Sequence, residues 1–337
     1  MKKNNTCSYP IDFVIAWVDG NDPEWRAEKA LYSGVKETGD QREIRFRDWD
    51  TLYYWFRGVE VFAPWVNKIH FVTWGHIPKW LNTNHPKLNI VNHKDYIPEK
   101  YLPTFNSHTI ELNLHRIPGL AEHFVYFNDD MFLTAPVVPE DFFKNGVPCD
   151  TFALNAIYFG KDSVGAINGN NVSIINEHFK KKEMMKRYWT KWFSPVNGLK
   201  NLVRTSLLLP WPWFPGFLYS HTSTNLLKST LEEVWEKEEE ILDKSCADRF
   251  RQQTNVNQWL FKYWQLAEGN FVPVSAKDKH CYHVKETIDD VCQSLEQGKY
   301  KILCINDTGK TTEFEAKAEA VRKSFGKLLP MKSAFEL

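Results

Sequence analysis

Residues 102–133 read LPTFNSHTIELNLHRIPGLAEHFVYFNDDMFL, and this stretch decides the fold. A polar turn over 103–107 leads into a helix predicted over 109–117, with Ser107 placed to cap it through its hydroxyl. Ile110, Leu114 and Ile117 recur at helical spacing and face a core. His108, Glu111 and His115 lie three and four residues apart on another strip, where side chains converge. Pro118 and Gly119 end the helix. Residues 123–127, HFVYF, then form a buried strand that stops in Asn128, Asp129 and Asp130. In open α/β sheets, ligands bind beyond the carboxyl ends of the strands. Two adjacent carboxylates held there either cap a turn or hold a hard cation beside phosphate oxygens.

Working outward, residues 11–17 (IDFVIAW) read as a buried parallel strand running into a loop that carries Asp19 and Gly20. Asp19 is a turn residue or a ligand. Residues 26–44 are polar and charged, which suggests a mobile segment or lid. Arg45 and Arg47 precede a helix predicted over 50–62, capped by Asp48 or Asp50, where a phosphate is also welcome. Residues 68–74 and 88–92 are further strands, joined through a short helix over 76–81. Strand, helix, strand at this spacing gives βαβ units and a largely parallel sheet. Residues 151–159 look like another strand, and 163–173, rich in Gly and Asn, like a loop.

The second half changes character. Met185, Tyr188, Trp189 and Trp192 fall at helical spacing within a lysine-rich segment, giving a basic amphipathic helix. The following SLLLPWPWFPGFLY is apolar but broken by three prolines, which excludes a spanning helix. This part is either an ordinary core helix with a buried proline-rich loop, or an interfacial helix and dipping loop. His221 precedes a helix predicted over 224–242. Arg249 and Arg251 precede another helix, and two arginines at a helix entrance suit a phosphate. Residues 300–305 form a last strand ending in Asn306 and Asp307, an echo of Asn128 and Asp129. Residues 311–337 read as a polar helix and tail.

The chain has 337 residues, with 42 basic and 42 acidic side chains. That balance offers no global attraction to nucleic acid. Its six cysteines form neither a disulfide framework nor a zinc pattern. No signal peptide and no run long enough to span a bilayer is present, so a cytoplasmic or peripheral protein is expected.

WVDGNDPEW at 17–25, the block RFRDWDTLYYWFRGVEVFAPWVNKIHFVTWGHIPKWLN from Arg45, and Asn106-Ser107-His108, Glu111, His115-Arg116-Ile117-Pro118-Gly119 and Tyr126-Phe127-Asn128-Asp129-Asp130 together resemble the Stealth family. His221 with Arg249-Phe250-Arg251 resembles its third conserved block, and the strand ending in Asn306-Asp307 its fourth. The resemblance implies transfer of a hexose 1-phosphate from a nucleotide sugar, a UDP-sugar first, to a hydroxyl of a cell-surface polysaccharide. The acceptor is a polysaccharide or a lipid-linked oligosaccharide. On this reading Asp129, Asp130 and Asp307 hold a divalent metal, magnesium or manganese. His108, Glu111, Asp129, His221 and Arg249 serve catalysis. Asp19, Gly20, Arg45, Asn106, Arg116, Arg251 and Asn306 bind substrate. The expected fold is α/β, a mostly parallel nucleotide-binding sheet flanked by helices in the manner of A-type glycosyltransferases, with a helical insertion in the second half. The expected parts are 1–160 for the nucleotide sugar, 161–220 as a basic and aromatic insertion facing acceptor or membrane, 221–310 completing the site and 311–337 as a tail, within one catalytic domain. The alternatives are a conventional metal-dependent glycosyltransferase releasing nucleoside diphosphate and a non-catalytic carbohydrate-binding protein.

Overall fold

The computed structural model describes residues 8–33, 47–160, 164–284, 288–307 and 313–337. Strands β1 (Ile11–Ala16), β2 (Ile69–Thr73), β3 (Leu88–Asn92) and β4 (His123–Asn128) lie parallel in the order β3-β2-β1-β4. The mostly parallel α/β sheet is thus present. Both of its faces are covered, so its strands are continuous apolar runs. In β1, Phe13 and Ile15 enter one core and Val14 the other.

The first core packs against helices α2 (Leu52–Phe62), α11 (Asp289–Gln297) and α12 (Phe314–Leu328). The second core takes residues of α3 (His93–Tyr96), α4 (Ser107–Leu112), α5 (Gly165–His178), α8 (Lys228–Lys237), α9 (Glu239–Ala247) and α10 (Trp259–Glu268). A small cluster of Trp25, Phe105 and Phe250 holds α1 (Pro23–Ser33). Helices α6 (Lys181–Trp192) and α7 (Leu199–Leu207) follow α5.

Beyond β4 the chain turns through Asp129 and Asp130 into β5 (Met131–Leu133) and leaves the main sheet. There β5 runs antiparallel to β11 (Ile302–Asp307), which pairs parallel with β10 (Lys279–Val284). The backbone N–H of Ile305 donates to the Asp130 carbonyl at 2.8 Å, tying β11 to the end of β4. Gly58 on α2 lets β5 approach closely, because a Cβ there would stand 2.8 Å from the Leu133 carbonyl oxygen. A third, short sheet joins β6 (Phe143–Lys144), β7 (Val147–Asp150) and β9 (Val272–Pro273).

Several local expectations are corrected. Residues 76–81 contain no helix; Pro78 and a bridge from Leu81 to Glu336 hold that connection instead. Residues 151–159 form no strand beyond one bridge, Leu154 to Phe217. Residues 163–173 fall mostly in α5, whose Asn171 and Asn168 find buried amide and tyrosine partners that offset their low helix propensity. The helix predicted over 224–242 begins instead as β8 (Thr224–Leu227), antiparallel to β4 at the sheet edge, and its remainder divides into α8 and α9. Asn106, not Ser107, caps α4, accepting the His108 N–H at 3.1 Å. The helix stops at Leu112, and 114–116 form a separate turn of 3₁₀ helix. Neither Asp48 nor Asp50 caps α2, whose flanking residue is Thr51. Within 26–44, residues to Ser33 are helical; the rest lie outside the described residues.

Candidate active site

The strand order places β2 on one side of β1 and β4 on the other, so chain direction across the sheet reverses between β1 and β4. That is where open α/β sheets bind ligands. Ala16 and Asn128 are paired at the carboxyl ends of these strands. A cleft of about 460 Å³ opens there. Its walls include Trp17, Trp25 and Phe105 on the β1 side, Asp129, Asp130 and His221 at the end of β4, and Arg47, Asp48 and Asp307 opposite. The two strands that end in Asn-Asp therefore meet in one cavity.

Asp130 joins two neighbouring elements of the site. Its Oδ2 stands 3.2 Å from His221 Nε2 and accepts the Cys304 thiol at 3.3 Å. Its Oδ1 is buried with no hydrogen-bond partner among the described residues. A buried carboxylate oxygen without a partner is costly unless something else supplies positive charge. Asp129 opens into the cleft, where surrounding protein and then the charges of Asp130 and Asp48 push its carboxyl up to about 8. Both observations fit a divalent cation. Asp307 accepts from Arg47 Nε at 2.9 Å, so the third expected ligand is held in an ion pair. The donor atoms that do converge, within 4.8 Å of one another, belong to Asp130, His221 and Cys304.

His221 is fixed from both ends, because its Nδ1 lies 3.0 Å from the Tyr219 hydroxyl. Burial opposes the charged ring. The Asp130 carboxylate, helped by Cys281 and Glu111, nevertheless holds it above its usual value. Arg251 lines the cleft and donates to the Ser107 hydroxyl. Behind that hydroxyl, Glu111 is buried, and burial raises its carboxyl to about 7 against the opposing charge of Arg251. Asp48 is raised by burial and accepts the backbone N–H of Asp50, which adopts a left-handed φ of 53°. Such backbone strain clusters at functional sites.

Most of the other expected site residues stand elsewhere. Asp19 closes a turn onto Asn21 N at 2.8 Å, and with Gly20 it sits next to Val18 at the cleft margin without forming its wall. Asn106 is a buried latch, donating to the Asp248 carbonyl at 3.0 Å and the Asn255 amide at 3.1 Å. His108 is buried beside Asn255 and does not line the cleft. Arg249 stacks on Tyr32, its centre 4.8 Å from the ring, and turns away from the cavity. Arg116 is exposed and lies over Trp235. Asn306 lines the cleft and bonds His283 at 3.1 Å. Arg45 lies outside the described residues. Sequence reading missed Cys304 and the placement of Asp48. Strand alternation could have found the first, since Cys304 and Asn306 are two apart on one strand.

Comparison with known proteins matches residues 9–35 to Stealth protein CR1, conserved region 1, and residues 45–150 to Stealth protein CR2, conserved region 2. The chain is 45% identical over 331 residues to the receptor polysaccharide phosphotransferase WefC of Streptococcus gordonii, covering 97% of this chain and 99% of that one. It is 43% identical over 331 residues to the capsular polysaccharide phosphotransferase WcwK of Streptococcus pneumoniae, with 97% and 99% covered. An exopolysaccharide phosphotransferase of Lactiplantibacillus plantarum is 39% identical over 330 residues, with 97% and 96% covered. Among solved structures, the galactosyltransferase LgtC in complex with donor and acceptor sugar analogs gives a TM-score of 0.36 at 10% identity, over 96% of this chain and 98% of that one. Mouse xyloside xylosyltransferase 1 gives 0.35 at 10% identity, over 90% and 100%.

Proposed function

Because the chain belongs to the Stealth family, we propose that it is a polysaccharide phosphotransferase that moves hexose 1-phosphate from a nucleotide sugar, a UDP-sugar first, to a hydroxyl of a surface polysaccharide. One observation carries the reading: Asp129, Asp130, His221 and Arg251 face one cleft at the switch point of a parallel sheet. Phosphoryl transfer asks for that set, namely charge neutralisation, a positioned nucleophile and a proton acceptor.

In the proposed reaction the acceptor oxygen bonds to the phosphorus next to the sugar. The bond from that phosphorus to the bridging oxygen breaks, and nucleoside monophosphate leaves with the electron pair. The acceptor proton passes to the His221–Asp130 pair, whose Nε2 and Oδ2 stand 3.2 Å apart, while Tyr219 holds Nδ1. His108, the other candidate base, has no access to the cleft. Arg251, anchored on Ser107, presents donors to the equatorial oxygens as charge spreads onto them. Glu111 sets the field behind that arginine. Asp129 and Asp130 are the residues that would hold magnesium or manganese, which supplies charge neutralisation for the diphosphate. Arg47, paired to Asp307, closes the far wall. The aromatic side, Trp17 and Phe105, suits the nucleoside.

The test is incubation with a panel of nucleotide sugars and acceptor, followed by chromatography of the released nucleotide. Monophosphate is expected. Release of diphosphate would transfer the chemistry to the anomeric carbon and make the protein a conventional glycosyltransferase.

A further inference from the structure

The lysine-rich segment does not present the face that its sequence suggests. Trp192 is buried, and Met184, Met185 and Tyr188 pack against the core. Trp189 stays 60% exposed on α6, but the longer run of exposed apolar residues lies one helix later. On α7, Leu199, Val203 and Leu207 recur every fourth residue, which aligns them in one stripe, and they are 78%, 50% and 75% exposed. The stripe runs into Trp211 and Trp213, each 58% exposed.

These two indoles are held outward by a fixed backbone. Buried Lys181 donates to the carbonyls of Leu208 at 2.8 Å, Leu209 at 3.1 Å and Trp211. Three residues on, Asn176 exchanges two hydrogen bonds with the Phe214 backbone, at 2.8 and 3.0 Å, and the Phe214 ring is buried. A loop pinned on both sides of Trp211 and Trp213 has no internal reason to leave them in water. Exposed apolar side chains gathered on one helix and the loop that follows it mark an interaction site.

Charge identifies the partner. Residues 180–204 carry eight basic side chains against Glu183, in a chain whose total charge balances. Lys181 and Lys191 are consumed by backbone carbonyls and Lys180 pairs with Glu183, which leaves five. Aliphatic stripe, interfacial tryptophans and flanking lysines are the composition of a helix that lies in the plane of a membrane. A sugar polymer would use the indoles but has no use for Leu199, Val203 and Leu207.

We infer that α7 and the 208–213 loop dock this protein on an anionic bilayer surface, with the apolar stripe and both indoles entering the headgroup layer. The inference does not depend on the proposed reaction.

The experiment is sedimentation of the full chain with phosphatidylglycerol vesicles, using phosphatidylcholine vesicles for comparison. Binding is expected on the anionic vesicles, about tenfold or more stronger than on the neutral ones, and weaker as salt shortens the reach of surface charge. Trp211→Ala with Trp213→Ala should lower it about tenfold or more, and so should Val203→Asp with Leu207→Asp. Melting temperature and turnover on a water-soluble acceptor should be unchanged in the tryptophan pair, which separates lost docking from lost folding or chemistry. Absence of binding at low ionic strength would overturn the inference, as would binding that both variants leave intact. Wild-type self-association abolished by the same variants would reassign the face to a second copy of the chain. Retention on polysaccharide in place of vesicles would reassign it to sugar.

Discussion

Glu111→Gln should make the protein more stable and less active, by an amount that depends on pH. Glu111 is buried at 5% exposure, and its carboxyl is raised from an ordinary 4.5 to about 7 because burial outweighs the favourable field of Arg251. A raised carboxyl binds its proton more tightly in the folded chain than in the unfolded one. Stability therefore falls as pH rises between those two values, by up to about 1.4 kcal/mol per unit. Integrated to neutrality, the ionised side chain removes about 3 kcal/mol, with about 2.5 kcal/mol of loss accruing between about pH 5 and about pH 8. Glutamine keeps an oxygen for the Gln258 N–H, 3.4 Å from the carboxylate now, and never ionises. Urea unfolding of both proteins at the two ends of that range gives the comparison directly. The variant should gain on the parent by about 2 to 3 kcal/mol as pH is raised, while its turnover drops. Stability given up at an active site is the expected trade. Parallel stability curves would refute the reasoning, because they would mean that Glu111 is solvated or already neutralised by Arg251.

Three further outcomes follow from the same geometry. Asp130→Asn should lower turnover by about a hundredfold or more with little loss of stability, and excess chelator should abolish wild-type activity; full activity in chelator would remove the cation from the account. Arg251→Lys should lower kcat by about a hundredfold, because one ammonium cannot serve both Ser107 and the substrate, whereas Arg249→Lys should act mainly on the melting temperature. Glu336→Ala leaves Arg57 without its two 2.7 Å hydrogen bonds in a pair only 11% and 5% exposed, and urea unfolding should register a loss of about 3 kcal/mol.

The parallel sheet was legible because β1, β2 and β4 are covered on both faces and so appear as unbroken apolar runs. The ends of β4 and β11 were legible for a related reason: an apolar strand that stops in Asn-Asp has few structural uses. What failed was decided by partners distant in sequence. Thr224 to Leu227 continues a helical pattern locally, yet pairing with β4 makes it a strand. The Gly- and Asn-rich start of α5 reads as loop until Asn257 and Tyr263 supply its amides with buried partners. Within the site, residue type pointed to the right chemistry but not to direction. Arg249 and Arg251 are equivalent on paper, and only packing against Tyr32 turns one of them away. Asn106 and His108 carried the expected polarity but are spent on holding α4 to the 248–255 loop. Cys304 could be read only through its alternation with Asn306, and nothing in the sequence showed that β11 docks beside Asp130.

In the proposed reaction phosphorus, not the anomeric carbon, is attacked in this cleft. Phosphorus NMR of the purified product polymer addresses that bond itself. The expected result is a phosphodiester resonance coupled to protons of both the donor and the acceptor sugar, appearing in proportion to monophosphate released and absent with Asp130→Asn. A polymer that gains the donor sugar and contains no phosphorus would contradict it.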